Sequence, residues 1–296
     1  MDRWLMVINP RAGNHPSMRW HSNLAARLHR AVDCQVIFTN YPGHATEIAR
    51  SHRHLAGIGV LGGDGTLAEV VNGMDINGQK LLVFPAGTGN GMALDLGMHT
   101  IEDAFSALHN DRGKILDLVR VEFRTPVRNY SRLMLSTSAV GYVADVVSLS
   151  NDLRRYYGAG CYLAAAVWKV LRSRPASFSA SVDLGRDSPG PGDYTNLIVN
   201  NTCHAGNFPV FKQASLQDGR FEVELTQPAP GLFFLLRMAC QAANRLMSCS
   251  KVYASPFTNV RLKTPHTLMI DGELWENVVE ATYHTCPKKL NCLAVF

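Results

Sequence analysis

Residues 60–73 read VLGGDGTLAEVVNG, an apolar run that passes through closely spaced glycines into a helical pattern. A short apolar run bounded by glycine is typical of a buried parallel strand. Gly62, Gly63 and Gly65 allow backbone N–H groups to come close to a phosphate. A helix beginning near Thr66 would direct its positive end at the same place. The stretch therefore predicts a strand, a phosphate-binding turn and a helix.

Asp64 is the carboxylate among these N–H donors. Next to bound phosphates it would bind magnesium or accept a proton as a general base. A structural alternative is that the glycines serve only the geometry of the turn and Asp64 is the N-cap of the helix. The glycines by themselves leave both interpretations open.

A second unit of the same kind follows within about 40 residues, which is more specific than one glycine turn alone. An apolar run at residues 80–84 leads into PAGTGNG at residues 85–91 and then into another helical pattern. This alternation, up to about residue 110, predicts a mostly parallel, three-layer α/β sheet. Earlier strands and helices are predicted at residues 4–8, 20–32, 34–38 and 43–54.

The second half has a different pattern, because strands follow one another from Lys114 onward. Such a succession predicts a mainly antiparallel β-sandwich. Two helical insertions, at 144–172 and 232–247, either belong to the core or line a lipid-sized cavity or membrane contact. Residues 186–193, which contain SPGPG, are typical of a flexible surface loop. The predicted strands are residues 115–123, 131–138, 178–184, 194–200, 220–225 and 260–270.

A length of 296 residues is enough for two domains, each with its own core. We expect residues 1–118 to form the α/β domain and residues 119–287 to form the sandwich. The last strand, at about 288–296, is a candidate for returning to the first domain.

The composition excludes several classes of protein. Hydrophobic residues make up 46% and charged residues 18% of the chain, which is typical of a globular protein. The net charge of +5 fits an anionic substrate or an acidic membrane surface. Because dense Lys/Arg blocks are missing from the sequence, we expect no nucleic-acid partner.

The seven cysteines are scattered without a C-x-x-C pair, which favours reduced thiols in a cytosolic protein over disulfides or zinc. His44, His52 and His54 lack the spacing and acidic neighbours of a metal site. The first residues pass directly into a strand, so no signal peptide is evident. The longest apolar runs are shorter than the ~20 residues that cross a bilayer. We expect a cytoplasmic protein that contacts membranes peripherally.

The sequences VLGGDGT (60–66), EVVNG (69–73) and PAGTGN (85–90) resemble the catalytic domain shared by diacylglycerol, ceramide and sphingosine kinases and their bacterial soluble relatives. Other motifs match this family in the expected order over nearly the whole chain. They are Asn9-Pro10 with Gly13, Thr39 with Gly43-His44-Ala45, residues 141–146, Asp218-Gly219, and Asp271-Gly272-Glu273.

The resemblance implies a first domain similar to those of NAD kinases and phosphofructokinases, with ATP in the cleft below the sandwich. It also implies ATP- and magnesium-dependent phosphorylation of a lipid hydroxyl at a membrane surface. Asp64 and Asp271 would bind magnesium, and Asp64, Asp271 and Glu273 would be the catalytic acids. The implied ATP-binding residues are Asn9, Gly13, Thr39, Gly62, Gly63, Gly65, Thr66, Gly87, Thr88, Gly89 and Asn90.

The requirements of in-line phosphoryl transfer agree with this assignment, because the reaction needs positioning, a cation and an acceptor for the hydroxyl proton. The alternative for Asp271-Gly272-Glu273 is a hairpin turn, since Asp-Gly between apolar strands is a strong turn signal.

Some positions depart from the family pattern. Gly91 stands where several bacterial diacylglycerol kinases have an acid, and Val147 stands where sphingosine kinases have one thought to hold the substrate amine. Gly91 makes the second glycine turn more similar to that of sphingosine kinases, but Val147 puts an amine-binding role in doubt, so a neutral glycerolipid is favoured over a sphingoid base. Ser215, between Lys212 and Asp218, interrupts a Lys-Asp-Asp set that holds a structural magnesium ion in some bacterial members, which predicts a weak or absent site.

Two other functions are compatible with parts of the sequence. NAD kinases share GGDGT, so a soluble acceptor such as NAD is one alternative, although residues 72–73 and 141–146 resemble lipid kinases more closely. A catalytically silent nucleotide- or lipid-binding protein is the other, favoured by Gly91 and Ser215. The sequence leaves the oligomeric state open.

Overall fold

The structure is a computed structural model. It describes residues 3–12, 18–87, 89–157, 165, 168–169, 176–186, 188–205, 208–229 and 250–295. None of the helices in these ranges is both long and apolar enough to span a bilayer.

The N-terminal half is built on a parallel sheet with the strand order β2-β1-β3-β4. Every residue of β1 and β3 is buried, as expected when helices cover both faces of a sheet. The predicted three-layer α/β arrangement is therefore confirmed. Its strands are β1 (Trp4–Ile8), β2 (Cys34–Phe38), β3 (Gly57–Gly62) and β4 (Lys80–Pro85). Its helices are α1 (Met18–Ala31), α2 (His44–Ser51), α3 (Asp64–Val71), α4 (Gly91–Asp95) and α5 (Ile101–Asn110).

The C-terminal half contains long antiparallel strands and one described helix. The strands are β5 (Gly113–Arg124), β6 (Asn129–Met134), β7 (Thr137–Gly141), β8 (Phe178–Asp183), β9 (Gly190–Tyr194), β10 (Asn196–Asn200), β11 (His204–Ala205), β12 (Phe208–Pro209), β13 (Phe221–Thr226), β14 (Ser250–Ser255), β15 (Phe257–Ile270) and β16 (Glu273–Leu293). The helix is α6 (Tyr142–Tyr157).

These strands form two layers that share β15. One layer has the order β14-β13-β10-β7 and ends on the carboxyl half of β15. The other joins β9 and β8 to the amino half of β15, and then β16, β5 and β6. Val121, Phe221 and Tyr283 lie in the buried core between the layers. The predicted sandwich is thus confirmed.

Strand β16 connects the two halves of the molecule. Its first part pairs with β15, its middle with β5, and its end with β4 in parallel, where Asn291 lies opposite Lys80. The last strand therefore extends the N-terminal sheet. The domain boundaries at 118 and 287 remain a prediction.

The prediction of one strand over residues 131–138 is wrong. The chain leaves β6 after Met134 and enters β7 at Thr137, so that it passes from one layer to the other. Leu135 and Ser136 form the bend, and their N–H groups donate to the carboxylate of Asp271 instead of to a neighbouring strand. The acceptor that takes the place of a neighbouring strand is thus a side chain more than 130 residues away in sequence.

The prediction of a flexible loop over residues 186–193 is also wrong in part. Gly190 to Tyr194 form β9, whose described pairing is with β8 alone. Pro191 is compatible with such a strand, because proline is tolerated at a sheet edge. The insertion at 232–247 lies outside the described residues, and of the insertion at 144–172 the structure describes the helix α6 and residues 165, 168 and 169.

Asn72, at the end of α3, joins the two halves. Its Nδ2 donates to the carbonyl oxygen of Leu133 at 2.8 Å, and its Oδ1 accepts from the Leu133 N–H at 2.9 Å. The side-chain amide thus pairs with β6 in the way that a strand residue would. This contact fixes α3 beneath the sandwich.

Asp117, which is fully buried within β5, also joins separate segments of the chain. Its carboxylate accepts from the N–H groups of Gly219 and Lys288, each at 2.7 Å. Its own N–H donates to the carbonyl oxygen of Leu216. Because a buried carboxylate without donors would be costly, these contacts hold three separate segments together.

We predict that Asn72→Ala destabilises the protein by about 1–3 kcal/mol, because the N–H and C=O groups of Leu133 lose their partner in a half-buried position. Urea unfolding would measure the change. Asn77→Ala is the matched control, since Asn77 is exposed in a turn of the same half. Equal stability of the two variants would contradict the proposed junction.

Candidate active site

The loops after β1 and β3 meet at the carboxyl edge of the parallel sheet. The Asn9 N–H continues the ladder by donating to Leu61, and the Asn9 side chain donates from Nδ2 to Thr66 Oγ1 at 2.9 Å. Thr39 continues β2 in the same way, because its N–H donates to Ile8. Three of the predicted ATP-binding residues, Asn9, Thr39 and Thr66, are therefore brought to one edge of the sheet. Gly13 lies outside the described residues.

The two glycine turns contact each other through their backbones. A Cβ atom added to Gly87 would lie 2.5 Å from the Cα of Gly63. At Gly62 it would lie 2.8 Å from the Cβ of Thr66. Any side chain at Gly87 would force the two turns apart, and any side chain at Gly62 would displace Thr66 at the start of α3. The glycines are thus required by close approach, which the repeated strand–turn–helix pattern predicts.

Gly65, in the first turn of α3, faces open space. A Cβ atom there would have no atom within 4 Å. The first N–H groups of a helix have no acceptor within the helix, and they carry its positive end. The open space beside them is a suitable cradle for a phosphate group.

Asn90 shapes the second turn. It is the N-cap of α4 in a left-handed conformation, with φ of 50°, and its Oδ1 accepts from the Gly87 N–H at 2.6 Å. The turn is therefore closed on itself around Gly89. Thr88 lies outside the described residues.

Asp64 is the first residue of α3, whereas its N-cap is Gly63. The structural alternative, in which Asp64 is the N-cap, is therefore wrong. The carboxylate instead accepts from Gly91 and Met92, both at 3.4 Å, at the start of α4. Burial raises the pKa of Asp64, these two hydrogen bonds oppose the rise, and the charge of Asp95 adds to it.

Asp271 lies in a two-residue hairpin turn. Asp271 and Gly272 have φ values of 47° and 90°, and Ile270 pairs directly with Glu273. This pattern is typical of a type I′ turn, so the hairpin interpretation is confirmed. The Asp271 carboxylate nevertheless points inward, which makes this segment both a turn and part of the candidate site.

Three backbone N–H groups hold the Asp271 carboxylate. Leu135 donates to Oδ2 at 2.8 Å, and Ser136 and Thr137 donate to Oδ1 at 2.9 and 3.0 Å. Burial nevertheless raises the pKa of Asp271 to about 6, against these bonds, and the charge of Asp64 contributes to the rise. The two acids predicted to act together thus interact across the boundary between the halves.

This pair of carboxylates fits a divalent cation. Oxygen donors are the ligands that magnesium prefers, and a cation would favour the charged forms of both acids, whose pKa values are raised mainly by burial. Asp64 comes from the N-terminal half and Asp271 from the other half. Their positions are compatible with a site that is complete only when both halves are present.

Glu273 is the first residue of β16 and lies beside the later part of α3. It lines a small cleft with Glu69, Asn72 and Arg132. Partial burial raises the pKa of Glu273; Arg132 opposes the rise and Glu69 adds to it. Since Glu69 lies five positions after Asp64, the cleft is about 7 Å along the helix from Asp64.

Two residues in this cleft, Glu69 and Arg132, are not among the site residues that the sequence predicts. Glu69 accepts from the Ala45 N–H at 3.1 Å and so holds the start of α2 against α3. Arg132 lies over the ring of Trp275, 5.1 Å from its centroid. The EVVNG motif contains Glu69, but no local pattern predicts that β6 delivers Arg132 to Glu273.

In the segment predicted to have lost a structural magnesium ion, two side chains contact their own turns. Ser215 Oγ accepts from the Gln217 N–H at 3.3 Å, and Asp218 Oδ1 accepts from the Arg220 N–H at 3.0 Å. The weak or absent metal site there stays a prediction.

Residues 3–121 match the family model described as the diacylglycerol kinase catalytic domain. YtlR of Bacillus subtilis (strain 168) is 38% identical over 97 residues, which are 30% of this chain and 31% of YtlR. The chain thus spans less than a third of that relative. The diacylglycerol kinase of Mycobacterium tuberculosis (strain CDC 1551 / Oshkosh) is 25% identical over 230 residues, which are 75% of this chain and 72% of that protein.

Two solved structures resemble the whole chain. A diacylglycerol kinase structure from Bacillus anthracis str. Sterne has a TM-score of 0.78 at 18% identity, covering 99% of this chain and 97% of the other. The structure of an NAD kinase from Archaeoglobus fulgidus in complex with ATP has a TM-score of 0.54 at 12% identity, covering 98% and 93%. Residues 3–121 are therefore similar to the diacylglycerol kinase catalytic domain, and the chain as a whole has the fold of the Bacillus anthracis protein.

Proposed function

We propose that this protein is an ATP-dependent lipid kinase that phosphorylates a lipid hydroxyl in the cleft between its two halves. The observation that carries the proposal is the interaction of Asp64, in the first turn of α3, with Asp271 on the hairpin of the other half. Phosphoryl transfer depends mainly on positioning and on neutralising charge, and two interacting carboxylates beside a phosphate cradle suit that task.

The ATP phosphates would lie against the two glycine turns. The open space at Gly65 and the backbone contact between Gly63 and Gly87 support this position. Asn9 and Thr66, joined by a hydrogen bond, would fix the first loop beside the phosphates. The N–H groups at the start of α3 would then donate to phosphate oxygens.

Asp64 and Asp271 would hold a magnesium ion. The ion would neutralise charge on the transferring phosphoryl group. Asp271 suits the role of a fixed ligand, because three N–H groups orient it.

Asp64 would also accept the proton of the lipid hydroxyl. Its two hydrogen bonds are long, at 3.4 Å, so an oxygen of its carboxylate can take up a new partner. Burial raises the pKa of Asp64, which brings a carboxylate closer to the range that suits a general base. Glu273, in the adjoining cleft, would contact the substrate.

A neutral glycerolipid is the proposed acceptor. Val147, where an acid would pair with a sphingoid amine, is buried in an apolar cluster with Phe211 and Met269. The nearby Asp145 already pairs with Lys169 at 3.0 Å. A cationic amine would find no free carboxylate at either residue. The net charge of +5 would favour an acidic membrane surface that presents the lipid.

A soluble acceptor is the second candidate. The likeness to the NAD kinase structure supports an N-terminal fold that can serve either acceptor. The two candidates differ in one observable respect, since a soluble acceptor would be phosphorylated without detergent or vesicles. A catalytically silent binding protein would show ATP binding with no transfer at all.

We predict that Asp64→Asn lowers phosphoryl transfer at least about a hundredfold, because the proton acceptor and a cation ligand are lost together. Transfer from labelled ATP to diacylglycerol vesicles would measure it. Asp33→Asn, an exposed substitution in the same half, should leave transfer unchanged. Equal transfer by the wild type and Asp64→Asn would contradict the role of Asp64.

We predict that diacylglycerol vesicles accept label at least about tenfold faster than sphingosine vesicles of the same surface concentration. The reason is that position 147 carries a valine and so offers no carboxylate to the sphingosine amine. Thin-layer separation of the labelled lipids would measure both rates side by side. Introducing an acid by Val147→Asp should narrow the difference only if this residue faces the lipid. Faster labelling of sphingosine would contradict the proposed acceptor.

The pKa of about 6 for Asp271 predicts a pH dependence. Because a protonated carboxyl does not bind magnesium, the affinity for the ion should rise as the pH rises from about 5 to about 7. The magnesium-dependent increase in Tm would report this change. In Asp271→Asn, the increase should be small at every pH.

Without magnesium, the protonation of Asp271 makes the stability of the protein fall, and not rise, as the pH increases. The folded-state pKa of Asp271 lies above its ordinary value of 3.8, so its contribution to stability is full below about pH 4 and is lost as the pH rises through about 6. Magnesium-free wild type should therefore lose stability relative to Asp271→Asn across this range. Parallel pH profiles for the two proteins would contradict the assignment.

A further inference from the structure

A cluster of three metal-ligating side chains lies outside the site described above. Asp95 is the last residue of α4, and Cys203 and His204 lie at the start of the β11–β12 ribbon of the other half. The Asp95 side chain is only 5% exposed and that of His204 is 24% exposed. The cluster is therefore largely shielded from solvent but open on the His204 side.

Cys203 and His204 both orient the Asp95 carboxylate. Its Oδ2 accepts from the Cys203 N–H at 2.8 Å and its Oδ1 lies 2.5 Å from His204 Nδ1. A longer contact of 3.4 Å joins Oδ2 to the His204 N–H. The hydrogen bond from the Cys203 N–H is of the kind that commonly holds a ligating carboxylate in place.

The potential ligand atoms already lie close together. One carboxylate oxygen of Asp95, Sγ of Cys203 and one ring nitrogen of His204 are all within 4.8 Å of one another. In tetrahedral zinc sites, with bond lengths of about 2.0–2.3 Å, ligand atoms lie about 3.3–3.8 Å apart. Small side-chain shifts, mainly a separation of Asp95 from His204, would therefore give the geometry.

The donor set also selects a class of ion. A thiolate, an imidazole and a carboxylate suit zinc and similar borderline cations, whereas magnesium prefers oxygen alone. A thiolate and a carboxylate would together balance the charge of a divalent ion. Binding would release the thiol proton to solvent as the metal–sulfur bond forms.

We propose that Asp95, Cys203 and His204 form a three-ligand site for a zinc-class divalent cation, with a fourth position open to water. The lack of a C-x-x-C pair made the sequence favour reduced thiols over zinc, but the third ligand is more than 100 residues from the other two. Because Asp95 belongs to α4, the ion would fix this helix to the C-terminal half. The proposal does not rest on the proposed kinase activity.

Cobalt binding tests the site directly. Full-length protein, stripped of metal with a chelator, should bind one equivalent of Co²⁺ with the near-ultraviolet thiolate-to-cobalt charge-transfer band. Zinc should abolish the band by competition. Cys203→Ser should lose it, whereas Cys286→Ser, which removes the other partly exposed cysteine among the described residues, should keep it. His204→Gln should weaken cobalt binding at least about tenfold.

The opposite results would overturn the proposal. A wild-type protein that shows no thiolate band, or a band that persists in Cys203→Ser, would mean that Asp95 and His204 form only an ion pair between the two halves. Zinc should also raise the Tm of the wild type and of Cys286→Ser but not of Cys203→Ser. An equal rise in all three proteins would likewise exclude the site, whatever the activity with lipid.

Discussion

The hydrogen bonds of the Asp271 carboxylate hold the crossing between the two layers of the sandwich, and its charge interacts with Asp64 of the N-terminal half. The carboxylate accepts N–H groups from Leu135, Ser136 and Thr137, where the chain crosses from one layer of the sandwich to the other. A carboxylate taken out of water is costly unless donors surround it, so the crossing, the hairpin and the position of the acid are fixed together. The raised pKa of Asp271 means that these donors offset only part of the cost.

The helix α4 carries a second connection between the halves. Its first N–H groups contact Asp64, and its last residue, Asp95, is held by Cys203 and His204 from the C-terminal half. The charge of Asp95 contributes to the raised pKa of Asp64. The C-terminal half is therefore linked to Asp64 through α4, while the charge of Asp64 contributes to the raised pKa of Asp271.

The sequence predicted best what local pattern determines. The glycine turns, the parallel sheet and the presence of Asp64 at the end of β3 follow from apolar runs and glycine spacing within residues 57–91. The sequence contains no comparable local pattern for contacts between distant segments. The bend at Leu135 depends on Asp271, and Asp95 meets His204 across 109 positions, so neither could be found without the fold. Gly190 to Tyr194 form a strand despite loop-like composition, because β8 offers them a partner.

The turn at Asp271 shows why a structural and a catalytic interpretation of one motif need not compete. Asparagine would adopt the left-handed φ of 47° at least as readily as aspartate, so the turn alone does not require an acid. The amide oxygen of an asparagine could accept some of the three N–H hydrogen bonds without the cost of burying a charge. The chain instead has a carboxylate there, although burial and the like charge of Asp64 both disfavour its charged form and raise its pKa. An acid retained against stability on both counts is most simply explained by a need for its negative charge in the cleft.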